Sequence, residues 1–175
     1  MSEKIQNKSN KKTHRPPAKG LSDDWFLLEP YGLSLGAMEA PLFLFKEVEG
    51  DRVLPVRMSP TDTAVTISQS HMDKDSFTHR VSKKILNQLG WSLKFCYFSE
   101  VKGQHQYLKL YFGTEKDDAV EVIEARADES LSFCLQWNCP FYCDDNFLEE
   151  SRVSDAALDE DFLSEDGLEK PMYLN

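Results

Sequence analysis

Within six residues the chain sets Glu124, Arg126, Asp128 and Glu129 where an alternating strand pattern gives way to a helical one. Carboxylates this close together can hold Mg²⁺ or Mn²⁺, an ion that activates water and neutralises charge developing on a phosphate. A guanidinium beside them can grip a phosphate bidentately. The same residues have a structural use, with Asp128 as a helix cap, Glu129 in the first turn and Arg126 paired with an acid. From the residues alone both uses stay open. His79 is the second candidate. Beside Thr78 at a helix start, it can act as a general base or bind a metal. It can equally hydrogen-bond a backbone carbonyl or a carboxylate, and its neighbour Arg80 opposes protonation and repels a cation.

Arg80, Lys83 and Lys84, with Asn87, share one side of the helix that follows His79. Positive charge at helical spacing can contact phosphates, and it can equally be a solvated face. Tyr107, Lys109 and Tyr111 form an aromatic and basic row on one strand face, suited either to stacking unpaired bases or to covering by another subunit. The second use is preferred, so a homo-oligomer contact is expected there. Cys134, Cys139 and Cys143 are spaced by five and four residues, without the second Cys or His pair of a structural zinc site. Cys96 and these three read as free, buried thiols. There is no phosphate-binding Gly-rich loop, no Gly-x-Ser-x-Gly elbow and no dinucleotide fingerprint, and no organic cofactor is expected.

The elements that must position these groups are legible from their periods. Residues 31–36 and 42–48 read as strands, and 49–51 as a turn returning the chain through 52–58. Pro55 has no N–H to give, which places that strand at an edge or a bulge. Ser59 caps a helix that opens on Pro60 and runs to about residue 71. Val81, Ile85 and Leu89, with Leu86 beside them, mark the next helix, which Gly90 stops. Residues 91–101 and 106–113 form a hairpin, and 119–125 make a further strand. Asp128 caps a third helix to Trp137, after which Phe141 and Tyr142 form a short last strand. Hairpins mixed with about three helices predict an α+β domain built on a mainly antiparallel mixed sheet.

The ends differ from the body. Residues 1–20 carry six basic groups against one acid and read as a disordered basic arm, while 152–175 read as a flexible acidic tail. The domain is therefore expected over 21–151. The formal charge of −10 excludes a surface that is basic throughout. No apolar run nears the roughly 18 residues that cross a bilayer, and no hydrophobic segment follows the basic arm as in a secretory signal. The expectation is a cytoplasmic chain with reduced thiols and no membrane partner.

Four stretches together resemble the bifunctional nuclease family, a conserved bacterial domain. Leu54-Pro55-Val56, after the turn at Gly50-Asp51-Arg52, resembles the family's Leu-Pro-Ile entry to its first helix. Phe77-Thr78-His79-Arg80, with Ile85-Leu86 and Leu89-Gly90, resembles its Arg-Pro-x-Thr-His-Asp helix. Glu124-Ala125-Arg126-Ala127-Asp128-Glu129 resembles its Asp-Ala-Arg-Pro-Ser-Asp junction, and Cys139-Pro140-Phe141-Tyr142 its closing Ala-Pro-Ile-Tyr strand. The order and spacing agree over about residues 31–150. Arg80 stands where the family has Asp, and Ala127, Asp128 and Glu129 stand where it has Pro, Ser and Asp. The resemblance implies metal-assisted cleavage of DNA and RNA. It implies Glu124, Asp128 and Glu129 as ligands of Mg²⁺ or Mn²⁺, Arg126 on phosphate with Arg80, Lys83 and Lys84 in support, and His79 in proton transfer. The competing class is a non-catalytic, oligomeric binding or regulatory module of the same fold.

Overall fold

The computed structural model describes residues 24–35, 40–71, 78–114 and 120–154. The basic arm and residues 155–175 lie outside the described residues. Alternation builds the sheet. Along β5 (His105–Thr114), Gln106, Leu108, Leu110 and Phe112 are buried, while Tyr107, Lys109 and Tyr111 between them are half-exposed. β5 pairs antiparallel with β4 (Trp91–Lys102) through a two-residue turn. Gly103 takes φ of 63° there, a left-handed conformation that costs glycine little. β6 (Val120–Arg126) continues the meander beyond β5 without a register shift.

A second meander joins β1 (Phe26–Ser34), β2 (Leu42–Glu47) and β3 (Val53–Arg57). β7 (Phe141–Cys143) lies between the two halves, antiparallel to β1 and parallel to β4. The seven strands run in the order β3-β2-β1-β7-β4-β5-β6. The sheet curls enough for β3 to meet β5. Gln106 donates from Nε2 to the Pro55 carbonyl at 2.9 Å, and its Oε1 accepts the Arg57 N–H at 3.3 Å. Pro55 does sit on an edge strand, and the carbonyl it exposes there is satisfied by a side chain.

Phe43, Phe45, Phe98 and Phe141 fill the inside of the curl. Helix α3 (Ala127–Trp137) lays Ala127, Leu131 and Cys134 on this core, and α4 (Asp145–Ser154) adds Phe147 and Leu148. Helix α1 (Pro60–His71) packs on α3, with Ser59 Oγ accepting the Asp62 N–H at 3.1 Å as a cap. The fold is thus α+β, with four helices among the described residues where three were expected. Helix α4 carries few apolar side chains, so its period is weak. Asp144 starts it by accepting the Phe147 N–H at 2.8 Å.

Two local expectations are corrected. Asp128 does not cap α3: Arg126 occupies the cap position without a side-chain cap bond, and Asp128 lies in the first turn. Helix α2 (Arg80–Gln88) has no buried residue, and its stripe faces outward, with Val81, Ile85 and Leu89 being 68%, 51% and 68% exposed. Leu86 alone of that set packs on the core. All four cysteines are free. Cys96, Cys134 and Cys143 are buried and Cys139 is half-buried, with its Sγ 3.7 Å from that of Cys96. Among the described residues no helix is long and apolar enough to cross a membrane.

Candidate functional site

Helix α3 brings two groups of polar side chains together one turn apart. At its start, Arg126 closes a fork on Asp128, with Nε 3.0 Å from Oδ1 and Nη2 2.5 Å from Oδ2. Its Nη1 lies 3.2 Å from Glu129 Oε1, and Nη2 also donates to His105 Nδ1 at 2.9 Å. Asp128 raises the guanidinium pKa chiefly through this hydrogen bonding. Three of the five Arg126 hydrogens, one on Nε and two on Nη2, are in hydrogen bonds, and Nη1 meets Glu129 as an ion pair.

One turn further on, Ser132 is fully buried. Its hydroxyl donates to Asp62 Oδ1 of α1, and its N–H donates to Asp62 Oδ2 at 3.0 Å. On the other side His79 Nε2 stands 2.9 Å from Ser132 Oγ. The His79 ring meets the edge of Phe133 at 5.6 Å and 84°. Residue 79 occupies the cap position of α2, yet its side chain makes no cap bond and turns to α3 instead. Burial holds the His79 pKa below the ordinary 6.5, with the Asp62 charge opposing. Burial pushes the Asp62 pKa up, against the two bonds from Ser132 and the nearby His79, while Asp128 adds repulsion. The two groups therefore share one electrostatic neighbourhood. Ser59 of the α1 cap also donates its N–H to the Asp128 carbonyl at 3.1 Å, joining both helix starts.

The structure gathers Arg126, Asp128 and Glu129, and His79, from the start of α2, meets α3 at Ser132, one turn beyond Asp128. Glu124 is not with them. It faces Lys109 across the β5–β6 ladder and lies 3.3 Å from Lys102 Nζ, which also reaches Glu100 at 2.5 Å. Among the described residues no three His, Cys, Asp or Glu side chains form a group that could hold a metal ion. Glu124, Asp128 and Glu129 are set as ion-pair partners of Lys102 and Arg126, an arrangement that does not fit a resident Mg²⁺ or Mn²⁺. Lys83 is also engaged. Its Nζ donates to the Gln136 carbonyl at 3.0 Å, above the Trp137 ring at 5.1 Å, where it satisfies the C-terminus of α3. Lys84 is exposed and Arg80 half-exposed at the start of α2.

The row on β5 is half-covered by its own sheet, with Tyr111 stacked on Phe95 at 4.2 Å and Tyr107 beneath Lys102 at 4.7 Å. Three site residues were not read from the sequence: Asp62, Ser132 and His105. Asp62 is a first-turn acid of α1 and Ser132 lies between Leu131 and Phe133 of α3, positions with no signal of their own. His105 belonged to a hairpin turn. Only the packing of α1 on α3, 70 residues away, gives the first two their meaning.

Residues 43–156 match the bifunctional nuclease domain family. The matched segment includes every site residue described above, and the chain belongs to that family. Its name points to nuclease-related function. No curated protein matches the chain.

Proposed function

We propose that the chain hydrolyses phosphodiester bonds of DNA or RNA. The observation that carries this reading is a histidine whose pKa burial holds below the ordinary 6.5, bonded to α3 at Ser132, one turn beyond the Asp128 on which Arg126 closes its fork. A neutral imidazole accepts a proton near pH 7, as a general base must. Arg126 supplies the phosphate contact through Nη1, whose described partner is the ion-paired Glu129. Glu129, its most exposed partner, gives way to a phosphate oxygen. Arg80 and Lys84 add positive charge at the start of α2, and the basic arm raises the local concentration of nucleic acid without adding sequence preference.

In the reaction, water forms a new bond to phosphorus and the ester P–O bond breaks. His79 takes the water's proton, and the leaving oxygen takes one from solvent. One end keeps the phosphate and the other becomes a hydroxyl. No step is routed through a metal ion, because the carboxylates are committed to Arg126 and Lys102. The test is cleavage of labelled single-stranded RNA and DNA by wild type, His79→Ala and Arg126→Ala, with Mg²⁺, Mn²⁺ or a chelator.

The second reading is a non-catalytic binding module of the same fold. The three hydrogen bonds and the ion pair that engage Arg126, and the presence of Arg80 in place of the family's Asp, favour it. A folded protein that binds RNA or DNA and cleaves neither would establish that reading.

For the homo-oligomer, β6 is the supporting element. Among the described residues it ends the strand order with an unbulged edge, and Val120, Val122 and Ile123 are exposed on its two faces. An open edge of this kind pairs with another strand. A second copy offers the same edge, antiparallel to the first, about a two-fold axis.

A further inference from the structure

We infer that Asp62 and Ser132 form a relay that fixes His79 as its Nε2–H tautomer and leaves Nδ1 as the basic atom. The inference follows from the inventory of protons. An ionised carboxylate only accepts, and a serine hydroxyl has one proton to give. Asp62 receives that proton on Oδ1 and the Ser132 N–H on Oδ2, so both the carboxylate and the hydroxyl rotor are fixed. Ser132 Oγ then has only lone pairs to offer the imidazole 2.9 Å away. His79 must donate from Nε2, and in the neutral ring the lone pair falls on Nδ1. Among the described residues no group hydrogen-bonds Nδ1. The Phe133 edge fixes the plane of the ring.

The burial of Asp62 sharpens the argument. It is 6% exposed and takes its hydrogen bonds from Ser132 rather than from a Lys or Arg. A buried carboxylate is costly unless it is hydrogen-bonded and paired; Ser132 supplies the bonds, and among the described residues no Lys or Arg supplies the pair. The positive charge it can meet is the one that His79 acquires on taking a proton, one hydroxyl away. Asp62 is the charge that acts on the imidazole, and Asp128, one turn along α3 from Ser132, acts in turn on Asp62. Asp62 and Ser132 are thus positioning residues. Their catalytic consequence rests on the nuclease reading, whereas the tautomer does not.

The experiment is two-bond ¹H–¹⁵N correlation of the full chain labelled at its four histidines, from pH 5 to 9, with assignment by single His→Gln variants. His79 is expected in the Nε2–H form, titrating below the ordinary 6.5, with the Nε2 proton protected enough to be observed directly. Ser132→Ala abolishes that protection, and Asp62→Asn lowers the His79 titration further by removing the opposing charge. A neutral His79 carrying its proton on Nδ1 overturns the relay, and the wild-type spectrum decides this even where a variant fails to fold. Titration and protection unchanged in both folded variants overturn it as well.

Cleavage rates in the same samples keep the two proposals apart. If His79 is the base, the acidic limb of kcat/KM follows its titration and moves to lower pH in Asp62→Asn, and Ser132→Ala loses roughly 10²-fold at pH 7. The expected tautomer in a protein without cleavage supports the relay and removes the nuclease. Cleavage that needs His79 in its Nδ1–H form removes the relay and keeps the nuclease.

Discussion

Asp62 on α1 and Ser132 on α3 meet through two hydrogen bonds, one from the hydroxyl and one from the backbone N–H of the same serine. This pair joins the two helices whose first turns carry the candidate site, and it connects a buried carboxylate to His79. Asp62→Ala strips the partner from a buried hydroxyl and a buried amide at once. The expected loss is about 1–3 kcal/mol of stability for each group left unsatisfied. Urea unfolding measures it. An unchanged midpoint would mean that the two helices are joined by apolar packing alone.

His79 also makes stability depend on pH. Burial depresses its folded pKa below the 6.5 of the unfolded chain, so the unfolded state binds more protons between those values. The associated stability is fully present above about pH 6.5 and is lost as pH falls through the folded pKa. Wild type should therefore lose stability more steeply than His79→Gln between pH 7 and 5, as followed by urea midpoints. Parallel curves would show that the imidazole is not desolvated.

The carboxylates at the strand-to-helix junction make distinguishable predictions. Among the described residues Glu124 pairs with Lys102 and stands opposite Lys109 on the ladder. Glu124→Gln should leave cleavage within about twofold, whereas loss of a metal ligand or of its support typically costs on the order of 10–100-fold. Arg126→Lys keeps the charge but cannot close the two-pronged contact with Asp128, and it should lower activity at least about tenfold. Steady-state rates of the two folded variants decide between these outcomes. A large loss in Glu124→Gln would restore this residue to the site.

The open edge of β6 predicts that the chain self-associates. Light scattering after size exclusion should give a mass of at least two chains, and Ile123→Lys should reduce it to one. A wild-type monomer at tens of micromolar would contradict pairing through this edge.

The sheet was legible because its period is local. Leu108, Leu110 and Phe112 alternate with Tyr107, Lys109 and Tyr111, and Pro55 marks its own edge strand. Helix α2 was legible as a helix but not in its orientation. Lys83 reaches the open carbonyl of Gln136, while Val81, Ile85 and Leu89 face outward. Helix α4 escaped because two apolar residues, Phe147 and Leu148, suffice where Asp144 sets the first turn. The strand-to-helix cluster was visible because its members lie within six residues. What could not be read was which charges cancel, since Lys102 reaches Glu124 from another strand. Nor could the relay be read, since Asp62 and His79 lie 70 and 53 residues before Ser132 in the chain.

The central claim is that this family member is a nuclease with His79 as its base. Cleavage of labelled single-stranded RNA and DNA, comparing wild type with a folded His79→Ala protein from pH 5 to 9, tests it most directly. The account predicts cleavage that rises with pH through the His79 titration and falls by roughly 10²–10⁴-fold in the variant. Folded wild type that cleaves neither substrate, or a variant as active as wild type, would contradict it.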